Sequence, residues 1–494
     1  MSETELLTEL LTHSNLNAEV EIEPLLDDTG NAKLARSDTQ NFTPEDRLVS
    51  GLAVLALNMD EDEEGVSVTA EIQRQIAAID ELINIRMDQV LHNKEFQKLE
   101  GTWRGIDELL SSVPSRSNVK VSVMDVTKDE LEDDLDTNAV DVSGSVLFDR
   151  LYVKEYDQYG GEPYGCTVGL YEFGSNPKDI SMIQTMAKIA NAAHAPFLTN
   201  IGPQFFGFET IAELDEVRDL SGHLAHPRFS RWNQFRETDE AAYVGLTFPR
   251  YISRLPYHPI HNPCKTIQYR ERAEHADSDY TWSPASILMA KNMVRSFLES
   301  GWCQYIRGPK GGGRVTGLPV HTFDWSGQEE QKTPVETVIP DFRELELANN
   351  GIIPLIYKKN TGEAAFFSVQ SAKFVPQFKD PKDSENAALV ANLSYTLSIT
   401  RIAHYVRCVM RDNIGSEADA STIQSSLQEW LMGRVTTVKN PSDLTMRVYP
   451  FKAAEIEITE KPGQIGQYNC SISVLPHLQF EGMDVELRLE SRLG

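Results

Sequence analysis

The sequence predicts an α/β fold of layered sheet and helix, with an α+β region toward the C-terminus, on three observations. Short apolar runs of strand length alternate with amphipathic segments of helix length from about residue 115 to 335. Beyond 335 the order changes to helix, hairpin, two further helices and a β meander. Ahead of both lies a strongly acidic arm followed by a long helical stripe. The expected domains are therefore an arm at 1–64, a helix and connector at 65–114, a layered α/β domain at 115–335 and a second α/β domain at 336–494.

The arm holds 16 acidic and 3 basic residues and closes on the run Asp60 to Glu64. Leu6-Leu7, Leu10-Leu11, Leu25-Leu26 and the run from Val49 to Leu55 interrupt its charge. Such clusters suit segments that order on a partner, and a flexible leader is the plainer alternative. From Val68 to Leu99, Ile72, Ile76, Ile79, Ile83, Met87 and Val90 recur at steps of three and four, the spacing of one helix face. That stripe fits either core packing or pairing with another chain. Next, NVKVSVMDV alternates as a half-buried strand.

Val142 to Glu155 reads as a helix and EPYGCTVGLYEF as a strand. Asn176-Pro177 opens a helix running from Lys178 to Ala193, because asparagine caps and proline suits the first turn. APFLTNIG is then a strand, RWNQFRETDE a helix, AAYVGLTFPRYI a strand, and Pro284 to Ser300 a helix leading into GWCQYIRG. In the second domain, Asp341 to Asn349 is helical. GIIPLIYKK and AAFFSVQS pair as a hairpin through Asn360-Thr361-Gly362. Glu385 to Asn413 and Ala418 to Val435 are the next helices. The meander is marked by Ile456 and Ile458, by Tyr468, Cys470, Ile472 and Val474, and by Val485, Leu487 and Leu489.

Composition narrows the function. A formal charge of −28 over 494 residues disfavours a nucleic-acid backbone as partner, since that binding rests on clustered lysine and arginine. No run approaches the roughly 20 apolar residues of a membrane span, and the acidic N-terminus does not read as an export signal, so the chain reads as cytoplasmic. The five cysteines are scattered and odd in number, which fits reduced thiols.

Candidate chemistry is sparse. IRGPKGGGRVTG places Gly308, Gly311, Gly312 and Gly313 beside Lys310 and Arg314. A phosphate loop needs lysine and a hydroxyl residue directly after its last glycine; here Lys310 precedes the run and Arg314-Val315 follow it. The dinucleotide spacing also fails, so a structural turn is the expectation. His258, His261 and Cys264 are metal-ligand types three apart, but Pro256, Pro259 and Pro263 break any helix that would present them. His223 and His226 could supply further ligands only through a tertiary contact. His194 and His404 sit among apolar residues and read as packed histidines. No nucleophile elbow or metalloprotease motif is present. The reading is non-enzymatic, with no cofactor or metal.

Several stretches together resemble one family. EFQKLEGTWRGI, EYDQYGGEPYG, NAAHAPFL, FRETDEAAYVGLTFPR, CQYIRGPKGGG, LPVHTF, GEAAFFSVQ and PHLQFEGMDVELRL are similar, in order, to the large sheath subunit family of the bacterial type VI secretion system. The resemblance runs from about residue 68 to the C-terminus. It implies a tail-sheath-like core whose protomers are tied by exchanged terminal strands. Val485, Leu487 and Leu489, with Ile456 and Ile458, are then the expected protomer-linking strands. It also implies as partners a small sheath subunit, neighbouring protomers, an inner tube protein, a membrane-anchored baseplate, and an AAA+ disassembly ATPase engaged mainly through the small subunit. A self-assembling phage-like tail sheath and a nucleotide-binding enzyme are the alternatives.

Overall fold

The structure, a computed structural model, describes residues 68–265, 267–273, 277–376, 378–413, 420–460 and 468–477. The acidic arm at 1–64 and the expected strand at Val485, Leu487 and Leu489 lie outside them. The chain divides into two compact units, Met1–Gln97 with Leu255–Tyr280, and Lys98–Arg254 with Thr281–Gly494.

The first unit is built on α1, Val68–Leu91. The long helix expected to reach Leu99 stops here, and α2 starts anew at Lys94 and runs to Ser111. Asn93 decides the break: its side-chain Oδ1 accepts from the amides of Glu95 and Phe96, so capping wins over continuation. A returning loop is fastened to α1 by polar contacts. Tyr269 Oη donates to Asp88 at 2.6 Å, and Arg272 pairs with Glu81 at 2.8 Å. The carboxylate of Glu271, almost wholly buried, lies 3.3 Å from His92 and accepts from the Tyr257 amide.

The second unit holds α3 (Lys128–Thr137), β1 (Thr167–Phe173), α4 (Pro177–Ala193), β2 (Phe197–Ile201), α5 (Ser230–Arg236), β3 (Val244–Phe248) and β4 (Tyr251–Ile252). After them come β5 (Trp282–Ser283), α6 (Ala285–Ser300), β6 (Arg314–Thr316), β7 (Thr322–Trp325) and β8 (Gln328–Gln331). The last are α7 (Asp341–Asn349), β9 (Ile352–Tyr357), β10 (Glu363–Phe366), α8 (Pro381–Ala391), α9 (Leu393–Asp412), α10 (Ala420–Met432), β11 (Phe451–Glu460) and β12 (Tyr468–Pro476).

Six strands form one sheet in the order β1-β2-β3-β9-β10-β6; the first four are parallel and β10 runs antiparallel to its neighbours. Every residue of β2 and β3 is buried, as expected where parallel strands are covered on both faces. On one face Phe197, Val244, Leu246 and Ile352 pack with Ile180, Ile183 and Ile189 of α4. On the other, Leu198, Ile353 and Leu355 pack with Leu288 and Met289 of α6 and Leu393 of α9. At about 1.5–3 kcal/mol for each buried large side chain, these two cores hold the layers together. Because β9 and β10 complete the sheet begun by β1, β2 and β3, the domain boundary expected at 335 does not separate two sheets.

The expected helix from Glu385 to Asn413 is two helices, since the Asn392 side chain accepts from the Ser394 amide and starts α9 afresh. RWNQFRETDE is α-helical only as far as Arg236, and a 3-10 turn begins at Asp239. The expected strand NVKVSVMDV forms no ladder. A third core joins α9, α10 and the β11–β12 hairpin through Ile402, Leu427, Leu431, Phe451, Ile456 and Ile458.

Two histidines close the joint between α4 and α9. His194 ends α4 in the left-handed conformation (φ 50°), and His404 Nε2 lies 2.9 Å from the carbonyl of Ala193. Burial pushes the His404 imidazole down to about 4. The neutral ring is the folded form, so its contribution is complete above the unfolded value near 6.5 and is lost as pH falls toward 4. Linkage puts the loss at about 3 kcal/mol. His404→Gln is expected to flatten the fall in the urea midpoint between pH 6.5 and 4.5; an unchanged slope would remove this role from His404.

Candidate functional site: the glycine loop and the terminal hairpin

The carboxyl ends of parallel strands are where layered α/β proteins place ligands. Here the chain's own side chains meet there. Asp179 accepts the Gly174 amide at 2.6 Å with one oxygen and pairs with Lys128 at 2.7 Å through the other. Arg250 bridges Glu172 at 3.2 Å and forms a double contact with Glu336. Asn200 Oδ1 accepts from Thr247 Oγ1 at 3.0 Å and from the Ala285 amide at 3.3 Å, seating α6 on the strand ends. Both oxygens of the buried Asp179 are committed, so it is held as a structural anchor rather than poised as a base.

The glycine loop lies between α6 and β6. Gly308 and Gly312 have φ of 71° and 102°, and the chain turns back so that Arg307 bridges Gly312. The Gly308 amide donates to Phe366 O at 2.7 Å and the Gly313 amide to Gly308 O at 2.9 Å, while the Phe366 amide donates to Gly313 O. Added Cβ atoms at Gly312 and Gly313 would overlap the carbonyls of Tyr305 and Phe366. Arg295 and Arg447 also turn to the loop's backbone. Arg295 donates to the carbonyls of Gly312 and Arg314 and to Asn292 Oδ1; Arg447 donates to Lys310 O. A phosphate cradle aims free amides outward. In this loop the Gly308 amide is spent on the strand beside it and the Gly313 amide on the loop's own Gly308 carbonyl.

Ile456 and Ile458 are buried in the third core, so their side chains face α10 and not a neighbouring molecule. The Ile456 amide donates to Gln428 Oε1 at 3.1 Å and its carbonyl accepts from Gln424 at 3.0 Å. The outer edge of β11 is thereby capped by α10 at this position. Within this chain, burial takes both side chains and the glutamines take the peptide groups of Ile456. Val485, Leu487 and Leu489 fall outside the described residues. The opposite edge, along β12, pairs with no other strand among the described residues.

The histidine candidates are dispersed. His258 and His261 stack at 4.9 Å, and His258 Nδ1 accepts the Ile260 amide at 3.2 Å. His223 Nε2 bonds Phe206 O, and His226 Nδ1 accepts from the Arg228 amide. Among the described residues no three His, Cys, Asp or Glu side chains are placed to hold a metal ion. No described helix is long and apolar enough to cross a membrane.

Sequence reading missed one surface. On α2 the buried face is Gly101, Gly105 and Leu109, yet Leu99, Trp103 and Leu110 are exposed on the other side. The signal was an apolar pattern too wide for one contact face, and glycines lining the packed side.

Residues 73–373 match the family described as EvpB/VC_A0108, tail sheath N-terminal domain, and residues 382–493 match EvpB/VC_A0108, tail sheath gpW/gp25-like domain. The chain is similar to the type VI secretion system sheath protein TssC1 of Pseudomonas aeruginosa, 39% identical over 426 residues that cover 85% of this chain and 86% of that protein. Among solved structures, the anti-feeding prophage baseplate gives a TM-score of 0.38 at 11% identity, covering 76% of this chain and 84% of that one. The contracted anti-feeding prophage helical sheath gives 0.30 at 10% identity, covering 63% and 67%.

Proposed function

This chain belongs to the EvpB/VC_A0108 tail-sheath family, and from that premise we propose that it is the large subunit of a type VI secretion contractile sheath. The observation that carries the reading is the similarity to TssC1 across 85% of the chain. The protein's part is structural. It pairs with a small sheath subunit in the cytoplasm, and the pairs polymerise around an inner tube from a membrane-anchored baseplate. Contraction then drives the tube outward, and an AAA+ ATPase acting mainly on the small subunit recycles the sheath. The glycine loop serves as a turn that seats β6 beside β10, and a strand beyond β12 links neighbouring protomers.

Contraction on this reading needs stored free energy. Extended protomers are held short of their best packing, and a few kcal/mol released by each sums over a coupled polymer. The test is co-expression with the small subunit and negative-stain electron microscopy. Hollow tubules that need both chains are the expected result. Tubules from this chain alone would favour a self-assembling phage-like sheath, and particles from neither would overturn the sheath reading.

A further inference from the structure

The segment Asn118 to Val126 has the alternation of a strand without a strand's partners. Val119, Val121 and Val123 share one parity, with Lys120 and Ser122 between them. Across Lys120 to Asp125 the chain is in neither helix nor turn nor ladder. The peptide groups of these six residues make no hydrogen bond among the described residues. Val121 is 37% exposed, Val123 56% and Met124 46%. Unpaired peptide groups beside exposed β-branched side chains make a template for another strand.

The segment is nevertheless held in place. Ser117 Oγ accepts the Val119 amide at 3.4 Å, and Lys120 pairs with Glu162 at 2.5 Å. At its far end Tyr171 Oη donates to Val126 O at 2.7 Å, and Lys128 Nζ donates to Glu172 O at 2.9 Å. Both anchors come from or reach β1, which among the described residues pairs only with β2 and so is an outer strand of the main sheet. The far end of the unpaired segment is therefore tied by side chains to this outer strand.

We propose that residues 119–125 are a docking strand, completed by a strand of another polypeptide whose flanking residues are basic. Charge selects that occupant. Seven acidic residues and one lysine lie between Asp125 and Asp136, and Asp125, Asp129, Glu130, Asp133 and Asp136 are exposed. A second copy paired in parallel would bring the same acidic flank to the contact, and like charges oppose that register. A strand with lysine or arginine beside its apolar residues gains ladder bonds and opposite charge together. The inference rests on the heterodimeric reading above for the chain that supplies this strand, the small sheath subunit.

Amide hydrogen exchange tests it on the full chain, alone and co-assembled with the small subunit. Exchange at residues 120–125 is expected to be fast in the isolated chain and at least 100-fold slower in the complex. Protection already present in the isolated chain would overturn the proposal, because this chain or its second copy would then supply the strand. Fast exchange in both states would overturn it equally. Ser122→Pro removes an amide that is unbonded in the free chain. It is expected to leave the thermal midpoint of the isolated chain unchanged and to cut co-purified small subunit at least tenfold. Wild-type yield of the pair from Ser122→Pro would also overturn it. Microscopy of the same samples separates the two readings. Tubules without protection remove the docking strand and leave the sheath. Should no tubules form, exchange in the soluble mixture still decides the strand.

Discussion

Gly312→Ala is expected to cost about 2–6 kcal/mol, summing backbone strain of about 1–3 and overpacking of about 1–3 kcal/mol. At φ 102° Gly312 lies where a side chain is strained, and the added methyl would overlap the Tyr305 carbonyl. Relief is blocked, since the loop is pinned by Phe366 on one side and by Arg295 on the other. Gly317→Ala is the control. Its φ is 79°, with nothing within 4 Å of the new Cβ, so about 1 kcal/mol is expected. Urea unfolding of the full chain gives both numbers. Equal costs at the two positions would mean that close packing around Gly312 does not hold the loop. The contrast also bears on chemistry. A glycine needed only to admit phosphate would lower ligand affinity when replaced and leave stability alone.

Arg236 gives the second large effect. The side chain is 5% exposed at the end of α5. Its Nη2 donates to Asn349 O at 2.6 Å and its Nε to Ala372 O at 3.1 Å, with the guanidinium 5.6 Å over the Phe374 ring. Burial pulls its pKa down to about 10, a desolvation cost of about 3 kcal/mol that the hydrogen bonds offset. Arg236→Met removes that cost but leaves the buried Ala372 carbonyl without its donor and gives up the bond to Asn349 O, for a net loss of about 1–3 kcal/mol. Arg236→Lys keeps the buried charge but loses the planar fork that reaches both acceptors, so it is expected to be at least as damaging. A lysine variant within about 1 kcal/mol of the parent would show that charge rather than geometry is what this site needs.

Where the chain reads clearly, one periodicity decides. TVGLYEF, FLTNI and VGLTF are apolar runs too short for helices, and each becomes a strand of the main sheet. Pro177 and its capping Asn176 mark the start of α4 where the sequence places it. The breaks at Asn93 and Asn392 were harder, because the helical stripe runs on across them. Only the side chain's choice of the amides ahead separates a cap from a helix interior. NVKVSVMDV shows the converse: local pattern specifies a strand, but a strand needs a neighbour, and no described part of this chain provides one.

The sequence by itself determined the layered fold class, the acidic charge, the absence of a phosphate-loop spacing and the family resemblance. Each of these depends on residue type at short separation, which a chain displays before it folds. Tertiary structure alone decided that β9 and β10 join β1–β3 in one sheet, and that Ile456 and Ile458 turn inward under α10. It also decided which glycine amides the loop spends on Phe366 and itself, and that Val121 and Val123 stand exposed. These are outcomes of long-range pairing. An apolar side chain carries no mark of which surface will cover it, so its partner is settled only when distant segments meet.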